Sequence, residues 1–201
     1  MQLNVKTDSR QRAQSHLLDS AKLKQQVAEQ NLDSIVAAAE LIAESLRNGG
    51  KVLLCGNGGS AADCQHIAAE FVNYLSKDFP RPSLPAIALT TDSSILSAIA
   101  NDSSFESVFE RQVQALGKPG DVLIGISTSG NSSNVVLAMK AAKAANLHTL
   151  VLTGNGGCLA EWADVAIAVP SQNTQLIQEA HLAVEHILCE LVESYLFGEQ
   201  T

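Results

Sequence analysis

The sequence predicts an α/β fold: a three-layer α/β/α sandwich around a five-stranded parallel sheet, preceded by an N-terminal helical arm. Three observations carry this prediction. Five short apolar runs, at 52–55, 86–90, 122–126, 149–153 and 165–169, alternate with stretches of helical period. The runs are continuously apolar rather than alternating, as strands buried on both faces require. Two loops rich in glycine, serine and asparagine stand where a strand hands over to a helix, at the carboxyl edge where such sheets hold their ligands.

Taken in order, the chain opens with a helical stretch from about Arg10 to Arg47, marked by Leu17, Leu18, Ala21, Val27, Ile35, Val36, Ala39, Ile42 and Leu46. Asn31 is expected to cap a second helix, which Gly49-Gly50 ends. The domain division is placed there, with residues 1–30 as the arm and 31–201 as the sheet domain. Helices are expected at 60–76, 93–100, 105–115, 131–145, 158–163 and 174–197. The last is apolar nearly all round, from Leu176 to Leu196, so burial against a second subunit is expected.

Composition narrows the function. The 201 residues suit one domain with a good core. A net charge of −8 argues against nucleic acid or an anionic membrane as the main partner, since both need clustered Lys and Arg. No signal-peptide pattern opens the chain, and no apolar run is long enough to span a bilayer. Cys55, Cys64, Cys158 and Cys189 are scattered without C-x-x-C spacing. Reduced thiols in a cytoplasmic protein are expected, with no disulfide framework and no structural zinc.

The first loop is Gly56-Asn57-Gly58-Gly59-Ser60 and the second is Ser127-Thr128-Ser129-Gly130-Asn131-Ser132. Helix N-termini present unpaired N–H groups and the positive end of a dipole, so they attract anions. Hydroxyls and amides add donors, and neither loop contains Lys or Arg. The combination reads as a neutral cradle for a phosphate group. Gly56-x-Gly58-x-x-Ala61 also fits a dinucleotide fingerprint, but the acidic residue expected about 20 positions on is badly spaced. Plain turn-and-cap sequences are the bland alternative for either loop taken singly.

Helix residues add reactive groups. His66 and Glu70 are four apart and share one face, a common way to present two metal ligands. The last helix carries Gln178, His181, Glu185 and His186 in an apolar background, and buried polar groups need partners. Gln178 and His186 are eight residues apart, about 12 Å along a helix. Either both extend toward a common centre or residues from different subunits combine. Asn101-Asp102 falls at the same edge of the sheet.

In order, the chain carries Cys-Gly-Asn-Gly-Gly-Ser, His-x-x-x-Glu, Arg-Pro-x-x-Pro-Ala-Ile-Ala, Ala-Asn-Asp, Gly-Asp-Val-Leu-Ile-Gly-Ile-Ser-Thr-Ser-Gly-Asn-Ser and Ile-Gln-Glu-x-His-x-x-x-x-His. This pattern resembles the sugar isomerase (SIS) domains, and among them the phosphoheptose isomerases, from about residue 30 onward. The resemblance implies a flavodoxin-like SIS sandwich assembled as a homotetramer with sites at subunit interfaces. It also implies conversion of sedoheptulose 7-phosphate to D-glycero-D-manno-heptose 7-phosphate, for lipopolysaccharide core or related heptose synthesis. By the same resemblance, Asn57, Gly58, Gly59 and Ser60 hold the sugar, while Ser127, Thr128, Ser129 and Ser132 hold the phosphate. Asn101, Asp102, Glu70 and Gln178 also contact substrate. His66, Glu70, Gln178 and His186 match zinc ligands, one ion per subunit, with Glu70 as base and His186 as acid through an enediol.

Two positions depart from the pattern. Asn73-Tyr74 stand where relatives carry Gly-Arg, and Gln175 stands where many carry Asp. They bear on the identity of the sugar, leaving an isomerase of another phosphosugar as one alternative. A second alternative is a non-catalytic SIS tetramer that binds a replication-initiation protein. Retention of all four His, Glu, Gln and His positions favours the enzyme.

Overall fold

The computed structural model describes residues 2–198, with side chains from Asp8 onward. Met1 and residues 199–201, the outer ends of the two units read from the sequence, lie outside the described residues. Two helices lead, α1 (Gln2–Gln30) and α2 (Leu32–Arg47), followed by β1 (Val52–Gly56) and α3 (Gly59–Val72). Next come β2 (Ala86–Ala88), α4 (Ser93–Asp102), a 3-10 turn (Phe105–Ser107) and α5 (Glu110–Leu116). The chain continues with β3 (Val122–Ser127), α6 (Ser133–Ala144), β4 (His148–Thr153), a second 3-10 turn (Leu159–Trp162), β5 (Val165–Ala168) and α7 (Thr174–Phe197).

All five strands are parallel, in the order β2-β1-β3-β4-β5. The chain goes from β1 to one side and then returns to the other, so the order reverses between β1 and β3. Those two strands pair along their length, from Val52↔Val122 to Gly56↔Ile126. Asp121, buried just before β3, pins their amino ends. Its carboxylate accepts from the Lys51 and Lys118 backbone N–H groups at 3.0 and 2.8 Å and pairs with the Lys51 ammonium.

Successive strand residues bury opposite faces, which makes the sandwich. Val52, Leu54, Ile124 and Leu150 face a core shared with Ile35, Ile42 and Leu188 of α2 and α7. Leu53, Cys55, Leu123 and Val151 face a second core with Val135 and Met139 of α6. Leu23 and Val27 of the arm lie in the first core.

Several boundaries differ from the sequence reading. The leading helices begin at Gln2 and break at Asn31, whose side chain does not cap α2 but donates to the Ala168 carbonyl at 3.3 Å. α3 stops at Val72 rather than running to 76, ahead of the Pro80, Pro82 and Pro85 segment. Asn73 leaves the helical region at φ −94°, ψ −102°. The expected helix at 105–115 is split into the 3-10 turn and α5, and that at 158–163 is a 3-10 turn. α4 extends two residues further, so Asn101 and Asp102 belong to its last turn.

Ile42 is fully buried between α2 and the sheet. Ile42→Ala is expected to lower unfolding stability by about 2–5 kcal/mol in urea titration, from lost burial plus a cavity.

Candidate active site

The reversal of strand order sets the two polar loops side by side. Gly56 ends β1 and Ser127 ends β3, one residue beyond the Gly56↔Ile126 pairing. A reciprocal amide pair ties the loops together. Asn57 Nδ2 donates to Asn134 Oδ1, and Asn134 Nδ2 donates to Asn57 Oδ1, each at 2.8 Å. Asn57, read from the sequence as a sugar contact, thus holds the first loop to the start of α6 with one N–H and one lone pair of its amide.

In the second loop, the buried Ser127 hydroxyl lies 3.0 Å from that of Ser132 and 3.3 Å from that of Ser129. Thr128 is half-buried and Ser129 exposed, so the loop presents hydroxyls beside the N-terminus of α6. Gly130 turns there with φ +66°, and a Cβ on it would meet the Gly156 carbonyl oxygen at 2.3 Å. Only glycine permits both the conformation and the contact. The brace beneath is the loop after β4: Leu159 N–H donates to the Gly130 carbonyl at 3.0 Å and Cys158 N–H to Asn131 Oδ1 at 3.2 Å. That loop, Gly154-Asn155-Gly156-Gly157, repeats the Gly-Asn-Gly-Gly of the first. The sequence reading missed it, and the repeated tetrapeptide was its signal.

α3 leaves the first loop and runs beside α7, joined by a ladder of polar contacts. At the top, Gln178 Nε2 donates to Asp63 Oδ2 at 3.1 Å. The Gln178 amide lies directly over Gly59, where a Cβ would come within 2.1 Å of Nε2. Next, His66 Nε2 and His186 Nε2 face each other at 2.8 Å, with the rings edge-on. Glu70 Oε1 lies 3.9 Å from His66 Nδ1, on the far side of that ring. The structure thus gathers His66, His186 and Glu70 and leaves Gln178 bonded to Asp63. Asn101 donates to Asp102 at 2.8 Å, and both are exposed at the end of α4.

The donor types suit a zinc-like ion, which takes imidazole nitrogen and carboxylate oxygen in tetrahedral sets. Two Nε2 atoms 2.8 Å apart approach the spacing of about 3.3 Å that ligands 2.0–2.1 Å from one tetrahedral ion would have. Among the described residues no three His, Cys, Asp or Glu side chains form a metal cluster. A third donor of these types would need Glu70 to move or would come from another subunit, and the Gln178 bond to Asp63 engages only its Nε2.

Comparison with known proteins fits this geometry. The family model described as SIS domain matches residues 16–154. The phosphoheptose isomerase of Nitratidesulfovibrio vulgaris (strain Miyazaki F) is 52% identical over 191 residues, covering 94% of this chain and 91% of that protein. That of Roseiflexus sp. (strain RS-1) is 55% identical over 181 residues, covering 90% and 91%. The chain belongs to the SIS domain family. Among solved structures, the phosphoheptose isomerase from Neisseria gonorrhoeae superposes with a TM-score of 0.86 at 46% identity, covering 92% of this chain and 98% of that one. The enzyme from Francisella tularensis gives 0.88 at 37% identity with the same coverage.

Within this SIS domain the arm also borders the site. His16 Nε2 lies 2.6 Å from Glu179 Oε1, and both line a cavity of about 490 Å³ with Asp63, Gln175, Gln178 and Leu182. Gln175, one of the two departures, thus opens onto the same space as Gln178. At the other departure Asn73 is exposed and Tyr74 half-buried. The sequence reading did not place His16 here, because nothing in α1 alone marks the residue that meets α7.

Burial shifts three acids and bases around the site. Glu185 is buried with neither oxygen hydrogen-bonded, and desolvation, reinforced by Asp63, pushes its carboxyl up to about 8. Asp63 is also raised by burial, with the Gln178 hydrogen bond opposing. His181 is fully buried with Nε2 3.1 Å from the Thr153 carbonyl, and burial lowers it to about 4. A histidine held neutral in the folded state, below an unfolded value near 6.5, loses stability as pH falls from about 6.5 to 4. Glu185 acts oppositely, losing stability as pH rises from about 4.5 to 8. The difference between wild type and His181→Gln isolates the first effect. Urea titrations between pH 7 and 5 should show wild type losing up to about 1.4 kcal/mol per pH unit relative to the variant.

Proposed function

We propose that the chain is a zinc-dependent phosphoheptose isomerase. It converts sedoheptulose 7-phosphate to D-glycero-D-manno-heptose 7-phosphate as a homotetramer in the cytoplasm, for heptose and lipopolysaccharide core synthesis. The observation that carries the reading is the joining of two neutral anion-binding loops to a helix pair bearing His66, Glu70 and His186. Relatives above 50% identity named phosphoheptose isomerase support the substrate.

The phosphate is assigned to Ser127, Thr128, Ser129 and Ser132, whose hydroxyls and backbone N–H groups at α6 can donate to its oxygens. The first loop, with Gly58, Gly59 and Ser60, lies beside the sugar chain. Isomerisation needs a base for the C1 proton and an acid for the C2 carbonyl oxygen. Glu70 lies on the Nδ1 flank of His66 rather than between the facing Nε2 atoms, which leaves its carboxylate for the base role. His186 supplies the proton to O2, giving an enediol. Return of a proton to C2 and loss of the O1 proton complete the aldose. The residues that would hold zinc are His66 and His186, with Glu70 or Gln178 in support. When bound, the ion polarises the carbonyl as a Lewis acid.

The tetramer is supported by apolar side chains left exposed on the single chain. Leu17 and Leu18 of α1 are 70% and 62% exposed, and Leu182 and Ile187 of α7 are also open. Large apolar side chains left open in this way support burial against further subunits. The compartment is supported by four cysteines that are all free thiols. No described helix is long and apolar enough to cross a membrane.

The direct test is an isomerisation assay on a panel of ketose phosphates. Wild type should act on sedoheptulose 7-phosphate and carry about one zinc per subunit. Glu70→Gln should lower kcat by about 10²–10⁴-fold while unfolding as the wild type does. No turnover of this substrate by zinc-loaded wild type would sink the reading. In light scattering the assembly should weigh four times the 21.2 kDa chain, and a monomer would refute the tetramer.

A further inference from the structure

We propose that Arg81 and Glu193 are positioning residues for this site, locking the far end of α3 to α7 so that Glu70 and His66 meet His186. The inference rests on the isomerase reading above. Both side chains are buried, 1% and 6% exposed. The guanidinium meets five acceptor contacts with its five N–H donors. Nη2 donates to the Glu70 carbonyl at 2.8 Å, and Nη1 donates to the carbonyls of Phe71 at 2.6 Å and Pro82 at 3.0 Å. Nε and Nη2 each lie 2.9 Å from Glu193 Oε1, which also accepts from Leu75 N–H at 3.0 Å.

The last carbonyls of a helix have no partner within it, and a cation there also meets the negative end of the dipole. One planar group therefore satisfies two end carbonyls of the helix that carries Glu70 and a carboxylate of the helix that carries His186. The carbonyl of Glu70 is itself an acceptor, so any shift of the guanidinium acts on the proposed base. Glu193 follows His186 by seven residues, about two turns, and so continues the same face of α7. This contact is the lowest rung of the ladder that begins with Asp63–Gln178 and passes through His66–His186. It also gives Arg81 a different task from the arginine missing at Tyr74. With every donor turned inward, none remains for substrate.

The test compares wild type with Arg81→Lys and with the paired change Arg81→Met plus Glu193→Leu. A lysine keeps the charge but cannot fork to the two helix-end carbonyls and Glu193 together. The apolar pair removes both charges at similar volume, a replacement that buried ion pairs often tolerate without losing stability. Each protein is loaded with cobalt(II), and its affinity by chelator competition, its visible spectrum, its urea midpoint, and its kcat and KM are measured. Both variants should bind cobalt about 10–100-fold more weakly with altered spectra. Both should lose kcat, with KM for sedoheptulose 7-phosphate within about threefold, because the phosphate loops lie at the other end of α3. A paired variant with wild-type cobalt affinity and kcat, whatever its urea midpoint, would leave the contact no positioning role and overturn the proposal. If the paired variant does not fold, Arg81→Lys decides, and wild-type cobalt affinity there is equally fatal. The cobalt measurements need no sugar, so wild type inactive on sedoheptulose 7-phosphate would refute the isomerase reading without silencing this comparison.

Discussion

The parallel pairing of β1 with β3 is the constraint on which the rest depends. Because β2 lies on one side of β1 and β3 on the other, the chain reverses its winding between them. Loops leaving the carboxyl ends of two such strands are not covered by a crossover and open a crevice. Here those loops are the two hydroxyl- and glycine-rich segments, held in contact by Asn57 and Asn134. The sheet places them, and the amide pair fixes their separation. The loop after β4 braces the second from below, which explains why Gly130 and Gly156 approach so closely.

On the proposed reading, the loops choose the class of ligand and the helix pair supplies the chemistry. With no Lys or Arg in either loop, the proposed phosphate site would rely on hydroxyls, backbone N–H groups and the dipole of α6. Formal charge is concentrated instead between α3 and α7, where burial makes each group costly unless it is paired. Asp63, Arg81 and Glu193 meet that cost with hydrogen bonds, whereas Glu185 meets it by favouring the neutral carboxyl. The facing imidazoles of His66 and His186 are the point where this architecture would receive a metal ion on the proposed reading.

Much of this was legible in the chain before folding. Continuous apolar runs revealed the buried parallel strands, because a strand covered on both faces cannot alternate. The hydroxyl-rich loop at the end of β3 was legible because Ser127, Thr128 and Ser129 are consecutive and Ser132 follows at the start of α6. Contacts between distant segments were not. Nothing local to Asn57 marks Asn134, 77 positions away, as its hydrogen-bond partner. Arg81 showed only a Pro-rich surrounding, and its burial depends on Glu193, 112 residues later. The spacing of Gln178 and His186 was readable as a problem, and in the structure Gln178 Nε2 donates to Asp63 while His186 faces His66. Helix ends failed where a 3-10 turn or a proline segment intervened, since period alone does not register either.

In the proposed reaction the loops and the helix pair form a single site, with phosphate at one end and the reacting carbons at the other. A crystal structure of the Glu70→Gln variant with sedoheptulose 7-phosphate tests it most directly. The account predicts the phosphate on Ser127, Ser129 and Ser132 at the start of α6, with C1 and C2 beside residue 70 and His186. A phosphate bound away from that loop, or a sugar chain pointing away from α3 and α7, would contradict it.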